Sequence, residues 1–268
     1  MPQSVSRRTL LLLPVSLAVL SACASTAERR RARLFRATPE GLYAEGKKSL
    51  RSGDFAQAIR TYEALVARYP FTGQARQARL DLIYAYYRAG EKESATDAAD
   101  TFIRENPTHP RIDYAWYLKG LIDFGKVPNV VERWMRVDYS ERAPTTARSA
   151  FDAFRIVVER FPQSAYAGDA RQRMIYLRNR LADYEMQVAS YYIERGAWVA
   201  AAQRAKQTIE QYDGAPAVKN ALRVLVRSYR ELGYNELADN AEKVFKENYP
   251  GESLQNAARK GGWWKFWS

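Results

Sequence analysis

Apolar and small residues fall at helical spacing from Leu42 onward, and the breaks between them recur at a fixed interval. From Leu42 to Pro70 the pattern predicts a helix, a tight turn at Gly53-Asp54, a second helix carrying Ala58, Tyr62 and Leu65, and a stop at Pro70. The unit then repeats. Gly90 follows Gly53 by 37 residues, Pro107 follows Pro70 by 37, and Gly233 follows Gly196 by 37. Within a unit, glycine to proline is 17 residues in three cases: Gly53 to Pro70, Gly90 to Pro107 and Gly233 to Pro250.

A helical hairpin repeated at this length has the tetratricopeptide spacing. The predicted fold is an all-α tetratricopeptide-repeat solenoid of about five helical hairpins. Each position has a local reason. Gly53, Gly90, Gly196 and Gly233 sit where the turn between helices needs a positive φ. Ala58, Ala95, Ala201 and Ala238 follow five residues later, with Ala150 at the corresponding place in the third unit; a small residue there lets two helices approach closely. Pro70, Pro107, Pro162 and Pro250 stop the second helix, since proline has no N–H to donate and clashes with the preceding turn. One hairpin cannot bury its apolar face alone, so neighbours must stack.

Unit two, from about Gln74 to Pro107, has a first helix with Leu80, Leu82, Ile83, Tyr84, Tyr86 and Tyr87. Apolar positions nearly all round predict burial between neighbours. Tyr84 and Tyr87, three residues apart, share a face, either as inter-helix packing or as an aromatic lining for a bound peptide. Unit three has helices over 114–123 and 147–160. Pro107 to Pro162 is 55 residues, so it carries about 18 extra, around 125–143. Unit four has a long first helix over about 167–195, and Asp213-Gly214-Ala215-Pro216 replaces the usual stop. Unit five runs from Ala217 to Pro250.

The two ends read differently. Arg7 and Arg8 precede the apolar run Leu10–Leu20, the pattern of a secretory signal over residues 1–22. The run is too short for a comfortable membrane span. It closes on Leu20-Ser21-Ala22-Cys23, which is similar to a bacterial lipobox, so Cys23 is the candidate lipidation site. It is the single cysteine, which excludes an internal disulfide. Ala24, in place of an Asp, favours the outer membrane. Residues 23–38 read as a basic tether, where Arg29, Arg30, Arg31, Arg33 and Arg36 face only Glu28. The tether is either a solvated linker or a contact with anionic headgroups. Residues 251–268 form a tail ending in Gly261-Gly262-Trp263-Trp264-Lys265-Phe266-Trp267-Ser268. The tail could dock onto a partner, onto the array or at the lipid interface.

The formal net charge of +12 admits nucleic-acid binding by composition. An exported location argues against it, so no nucleic acid is expected and an acidic protein partner fits better. The one histidine, His109, lies between prolines in a turn, and Asp97 and Asp100 read as a solvated helix face. No nucleophile motif, phosphate loop or metal-ligand cluster is visible. The chain reads as a non-enzyme with no cofactor beyond covalent lipid on Cys23.

Particular strings then resemble a known family. Leu80-Asp81-Leu82-Ile83-Tyr84-Ala85-Tyr86-Tyr87, Phe102-Ile103-Arg104, Asn106-Pro107-Thr108-His109-Pro110, and Glu194-Arg195-Gly196-Ala197-Trp198 closely resemble the BamD, or ComL-like, lipoproteins of the outer-membrane β-barrel assembly machinery. The resemblance covers about residues 40–250 plus the lipobox. It implies a non-catalytic scaffold, lipid-anchored on the periplasmic face of the outer membrane. Its implied partners are the POTRA domains of a BamA-like barrel protein, other assembly-machine lipoproteins and unfolded outer-membrane proteins.

On this resemblance the N-terminal units 1 and 2, residues 39–110, are the substrate side, with Tyr69, Phe71, Tyr84 and Tyr87 as contacts. Units 3 to 5, residues 111–250, are the partner side, with Arg195, Trp198 and an exposed Arg204. The Arg-rich tether and the Trp-rich tail have no counterpart in the family pattern. The rival readings are a periplasmic tetratricopeptide adaptor lipoprotein in cell-wall or division processes, and an accessory subunit of an enzyme.

Overall fold

The computed structural model describes residues 37–125 and 144–254. Cys23, the Arg-rich tether, most of the insertion at 125–143 and the Trp-rich tail lie outside the described residues. Among the described residues the secondary structure is helical, in ten helices. They are α1 (Pro39–Ser52), α2 (Phe55–Arg68), α3 (Gly73–Ala89), α4 (Lys92–Glu105), α5 (Ile112–Phe124), α6 (Pro144–Arg160), α7 (Ala167–Glu194), α8 (Trp198–Gln211), α9 (Ala217–Glu231) and α10 (Asn235–Asn248). The fold is all-α and of the tetratricopeptide kind. The unit-three helices begin slightly earlier than the periodicity predicted, at Ile112 and Pro144.

Local chemistry sets the helix ends. The Thr38 hydroxyl accepts from the Gly41 N–H, Pro39 opens α1, and Gly53 closes it at φ 78° while its N–H bonds the Leu50 carbonyl. Asp54 then caps α2 through the Gln57 N–H at 3.0 Å. Gly90, Gly196 and Gly233 repeat the left-handed turn. The prolines stand one residue beyond the actual cap, so Tyr69, Asn106, Phe161 and Tyr249 separate each helix from its proline.

The chain divides after Pro107 into two compact units. In the first, α1 to α4 pack each on the next and α1 also touches α3. In the second, α5 to α10 do the same and α7 also touches α9. First helices of successive hairpins therefore meet, as repeat stacking requires. Ala58, Ala95, Ala150, Ala201 and Ala238 are all fully buried, as the spacing predicted. The first unit's core holds Leu42, Tyr62 and Leu65; the second's holds Phe154, Val157, Leu177, Leu181 and Met186.

Two helical glycines show how tightly these helices meet. A Cβ on Gly46 would lie 2.4 Å from the Tyr62 ring, and one on Gly120 would lie 2.5 Å from the Phe154 ring. Glycine on one helix thus makes room for an aromatic ring on the next, in both units. The 28-residue α7 spans about 42 Å. Its first half meets α5, where Tyr117 stacks on Tyr166 at 4.8 Å and donates to Asp169 at 2.7 Å. Its second half packs on α8 and α9.

Candidate functional site

The expected substrate-side residues separate into two places along α3. Tyr69 and Phe71 lie in the loop between α2 and α3. Tyr69 is half-buried: its hydroxyl donates to the Ala37 carbonyl at 3.2 Å, its own carbonyl accepts from the Thr72 hydroxyl at 2.9 Å, and the Arg68 guanidinium covers its ring. It braces the loop. Phe71 is 95% exposed on that braced loop. Tyr84 sits twelve residues past the α3 cap Thr72, about 18 Å along the helix. There it meets Phe55 edge-on at 6.5 Å, and Arg88 lies over both rings while donating to the Tyr84 hydroxyl at 2.5 Å. Tyr87 is half-exposed one turn on. The four residues form two aromatic spots of one unit, not a single lining.

Between the spots lies a group that sequence reasoning passed over. Asp81 is 9% exposed, and its carboxylate accepts from the Tyr43 hydroxyl at 2.9 Å, from Gln77 Nε2 at 3.1 Å and, more loosely, from the Tyr62 hydroxyl at 3.4 Å. It ties α1 and α2 to α3. Burial first, and then the charge of Asp81, push the Tyr62 hydroxyl well above the usual phenol range. A carboxylate inside the apolar string Leu80-Asp81-Leu82-Ile83 was the available clue, because a buried charge needs partners.

On the expected partner side, Arg195 and Trp198 flank the Gly196 turn, each held against a different neighbour. The Arg195 guanidinium lies 3.5 Å from the centre of the Tyr191 ring, which is half-exposed and itself edge-on to Tyr192. Trp198 opens α8, half-buried, with the Arg227 guanidinium over its ring at 5.2 Å. Arg227 precedes the next turn, at Gly233, by six residues, so the two turns lie at the same end of the unit. Val199 at 63% exposed, Tyr234 at 53% and Leu237 at 49% add apolar surface at this end. Cationic guanidinium groups held over aromatic rings, beside exposed apolar side chains, suit an interface with acidic and apolar residues. Arg227 and Tyr234 were not singled out from sequence, and Tyr191 and Val199, part of a string that resembles the family, were not read as contacts.

Arg204 is half-exposed, with its guanidinium engaged inside the fold rather than free on the surface. Its Nη1 donates to Glu185 Oε2 at 2.9 Å, and Arg148 donates to Oε1 at 3.1 Å. The Glu185 side chain is 1% exposed. Burial lowers the Arg204 pKa, but hydrogen bonds and charge from Glu185 and Tyr192 outweigh it and the net shift is upward. Arg204 therefore clamps α6, α7 and α8 through a buried carboxylate. Leu181, Ala182, Met186 and Ala189 stand on the same stripe of α7, and a glutamate among them was the sign of a buried network. His109 accepts the Arg111 N–H at 3.1 Å where the chain enters α5, a structural place. No described helix is long and apolar enough to cross a membrane.

Comparison with known proteins supplies the rest. The YfiO family, described as an outer membrane lipoprotein, matches residues 36–244. The outer membrane protein assembly factor BamD of Neisseria gonorrhoeae is 39% identical across 96% of this chain and 98% of its own length. That of Vibrio cholerae is 34% identical across 78% of this chain and 87% of its own. Similar solved structures include the crystal structure of MamA protein, 18% identical, covering 80% of this chain and 97% of its own, with a TM-score of 0.32. Another is a thermophilic tetratricopeptide protein of Thermus thermophilus, 13% identical, covering 80% and 93%, with a TM-score of 0.37. The stacked hairpins, the matched span and relatives alike over nearly their full length lead to one assignment: this chain belongs to the BamD, or YfiO, family of outer-membrane lipoproteins.

Proposed function

We propose that this protein is an assembly factor for outer-membrane proteins that acts by binding and performs no catalytic step. Lipid on Cys23 would hold it to the periplasmic face of the outer membrane, with no other cofactor. The observation that carries its docking role is the cation–aromatic patch at the Gly196 turn, where Arg195, Tyr191, Trp198 and Arg227 stand on a rigid helical stack. This patch would receive the POTRA region of a BamA-like barrel protein through an acidic residue that pairs with Arg195. Other lipoproteins of the same machinery would join the complex. Unfolded outer-membrane proteins would contact the first unit, with Phe71 as the exposed anchor and the Phe55–Tyr84–Arg88 group as a second contact.

The test is affinity purification of the lipidated protein from solubilised outer membranes, with the co-purifying chains identified by mass. Wild type is expected to recover a barrel protein with POTRA domains. Arg195→Glu, which disturbs only the contact with exposed Tyr191, is expected to lose most of it while the melting temperature stays unchanged. An interface hot spot of this kind is worth about 2 kcal/mol, or roughly 30-fold in affinity. Recovery of a cell-wall complex in place of a barrel protein would overturn the reading.

A further inference from the structure

The turn glycines put the hairpins in one register, and in that register the two units differ in charge. Two residues before the glycine, in the last turn of the first helix, the first unit has Arg51 on α1 and Arg88 on α3. At the same place the second unit has Glu194 on α7 and Glu231 on α9. All four are exposed. A cation in the last turn suits the helix dipole. The second unit folds with acids there, so the fold does not require the cations of the first. Four residues earlier, on the same helix face, stand Lys47 on α1 and Tyr84 on α3. α1 touches α3, so these equivalent positions fall on neighbouring helices.

Rings, and not acids, hold two of these cations. Lys47 Nζ lies over the Tyr43 ring at 5.6 Å. The Arg88 guanidinium lies over Phe55 at 4.8 Å and over Tyr84 at 5.5 Å, and it donates to the Tyr84 hydroxyl. Among the described residues no carboxylate pairs with Lys47, Arg51 or Arg88. Acids of the same unit are engaged elsewhere. Asp81 accepts from Tyr43 and Gln77, Asp54 caps α2, and Glu63 accepts from the Tyr86 hydroxyl at 2.6 Å. A guanidinium laid over two rings has given up part of its water, so an incoming carboxylate meets less competition from solvent there.

We propose that this face of the first unit selects acidic segments of the unfolded outer-membrane protein. Arg88 pairs with a carboxylate of that chain, Phe55 and Tyr84 take the apolar residue beside it, and Lys47 and Arg51 add charge along the segment. This rests on the reading of the first unit as the side that meets unfolded chains.

The experiment is fluorescence anisotropy on the full mature chain with Cys23→Ser. The probes are two short labelled peptides of alternating polar and aromatic residues, identical except that one carries glutamates where the other carries glutamines. Wild type is expected to bind the glutamate peptide about tenfold more tightly at about 0.15 M salt, the combined effect of three exposed ion pairs of ordinary strength. Most of that preference is expected to vanish at about 1 M salt, where charges are screened within about 3 Å. Lys47→Gln with Arg51→Gln and Arg88→Gln is expected to bind both peptides alike, at a melting temperature close to wild type because none of the three holds a carboxylate in the fold. Phe71→Ser is expected to weaken both peptides by the same factor. Equal binding of the two peptides by wild type would overturn the proposal and leave the first unit as a contact for unfolded chains. A preference that survives the triple substitution would overturn it too, by placing the acidic contact elsewhere. Failure of wild type to bind either peptide would overturn both the proposal and the reading beneath it.

Discussion

Replacing Arg204 by glutamate would put a second carboxylate beside one that is already buried. Arg204 Nη1 stands 2.9 Å from Glu185 Oε2, and the Glu185 side chain is 1% exposed. Two like charges about 4 Å apart in surroundings of effective dielectric about 20 repel by about 4 kcal/mol. Removing one partner of a buried pair alone costs about 3–5 kcal/mol. Two features soften this. The Arg204 side chain is 36% exposed, so a new carboxylate has room to turn towards water, and Arg148 keeps its bond to Oε1. The expected loss is about 2–4 kcal/mol, which lowers the melting temperature of the second unit by roughly 4–16 °C.

Circular dichroism during heating measures it. Arg204→Met with Glu185→Leu removes both charges, leaves Arg148 free to face solvent, and is expected to recover most of the loss. An Arg204→Glu melting temperature within about 2 °C of wild type would refute the clamp. A docking defect of Arg204→Glu that comes with unfolding does not locate an interface, whereas one from Arg195→Glu at full stability does.

Other substitutions read separate parts of the fold. Gly53→Val puts a β-branched residue at φ 78° with nothing within 4 Å of its Cβ, so the whole cost is backbone strain of about 1–3 kcal/mol; unchanged stability in a urea titration would contradict it. Gly46→Ala raises helix propensity by about 1 kcal/mol, yet its Cβ would meet the fully buried Tyr62 ring at 2.4 Å, and a net loss of about 1–3 kcal/mol is expected. A stabilised variant would show that the ring has room to move. Tyr117 is pushed up to about 12, by burial first and then by its hydrogen bond to Asp169. A raised phenol pKa favours the protonated folded state, so that contribution is complete below about pH 10 and is lost as pH rises through 12. Tyr117→Phe is expected to flatten this alkaline loss of stability in melts from pH 9 to 12. Phe71→Ser is expected to weaken capture of an unfolded outer-membrane protein, read by fluorescence anisotropy, at unchanged melting temperature because the ring packs on nothing.

The hairpins, their turns and their small contact residues were determined locally, and so they were legible in the chain. A glycine five residues before an alanine and 17 before a proline specifies a left-handed turn, a close approach and a stop wherever it occurs. Arg195 and Trp198, marked by the family resemblance, flank one such turn.

Tertiary packing decided what each polar side chain does. Arg204 looked like surface on α8, but α6 and α7 converge on Glu185 and draw it in. Asp81 looked like one acid among tyrosines until α1 and α2 supplied two hydroxyls. Tyr69 became a brace and left Phe71 as the exposed ring of its loop. Periodicity reports which side of a helix is apolar. Only the neighbouring helices fix whether a charge on it finds a partner or water, because the cost of burying that charge depends on groups far away in sequence.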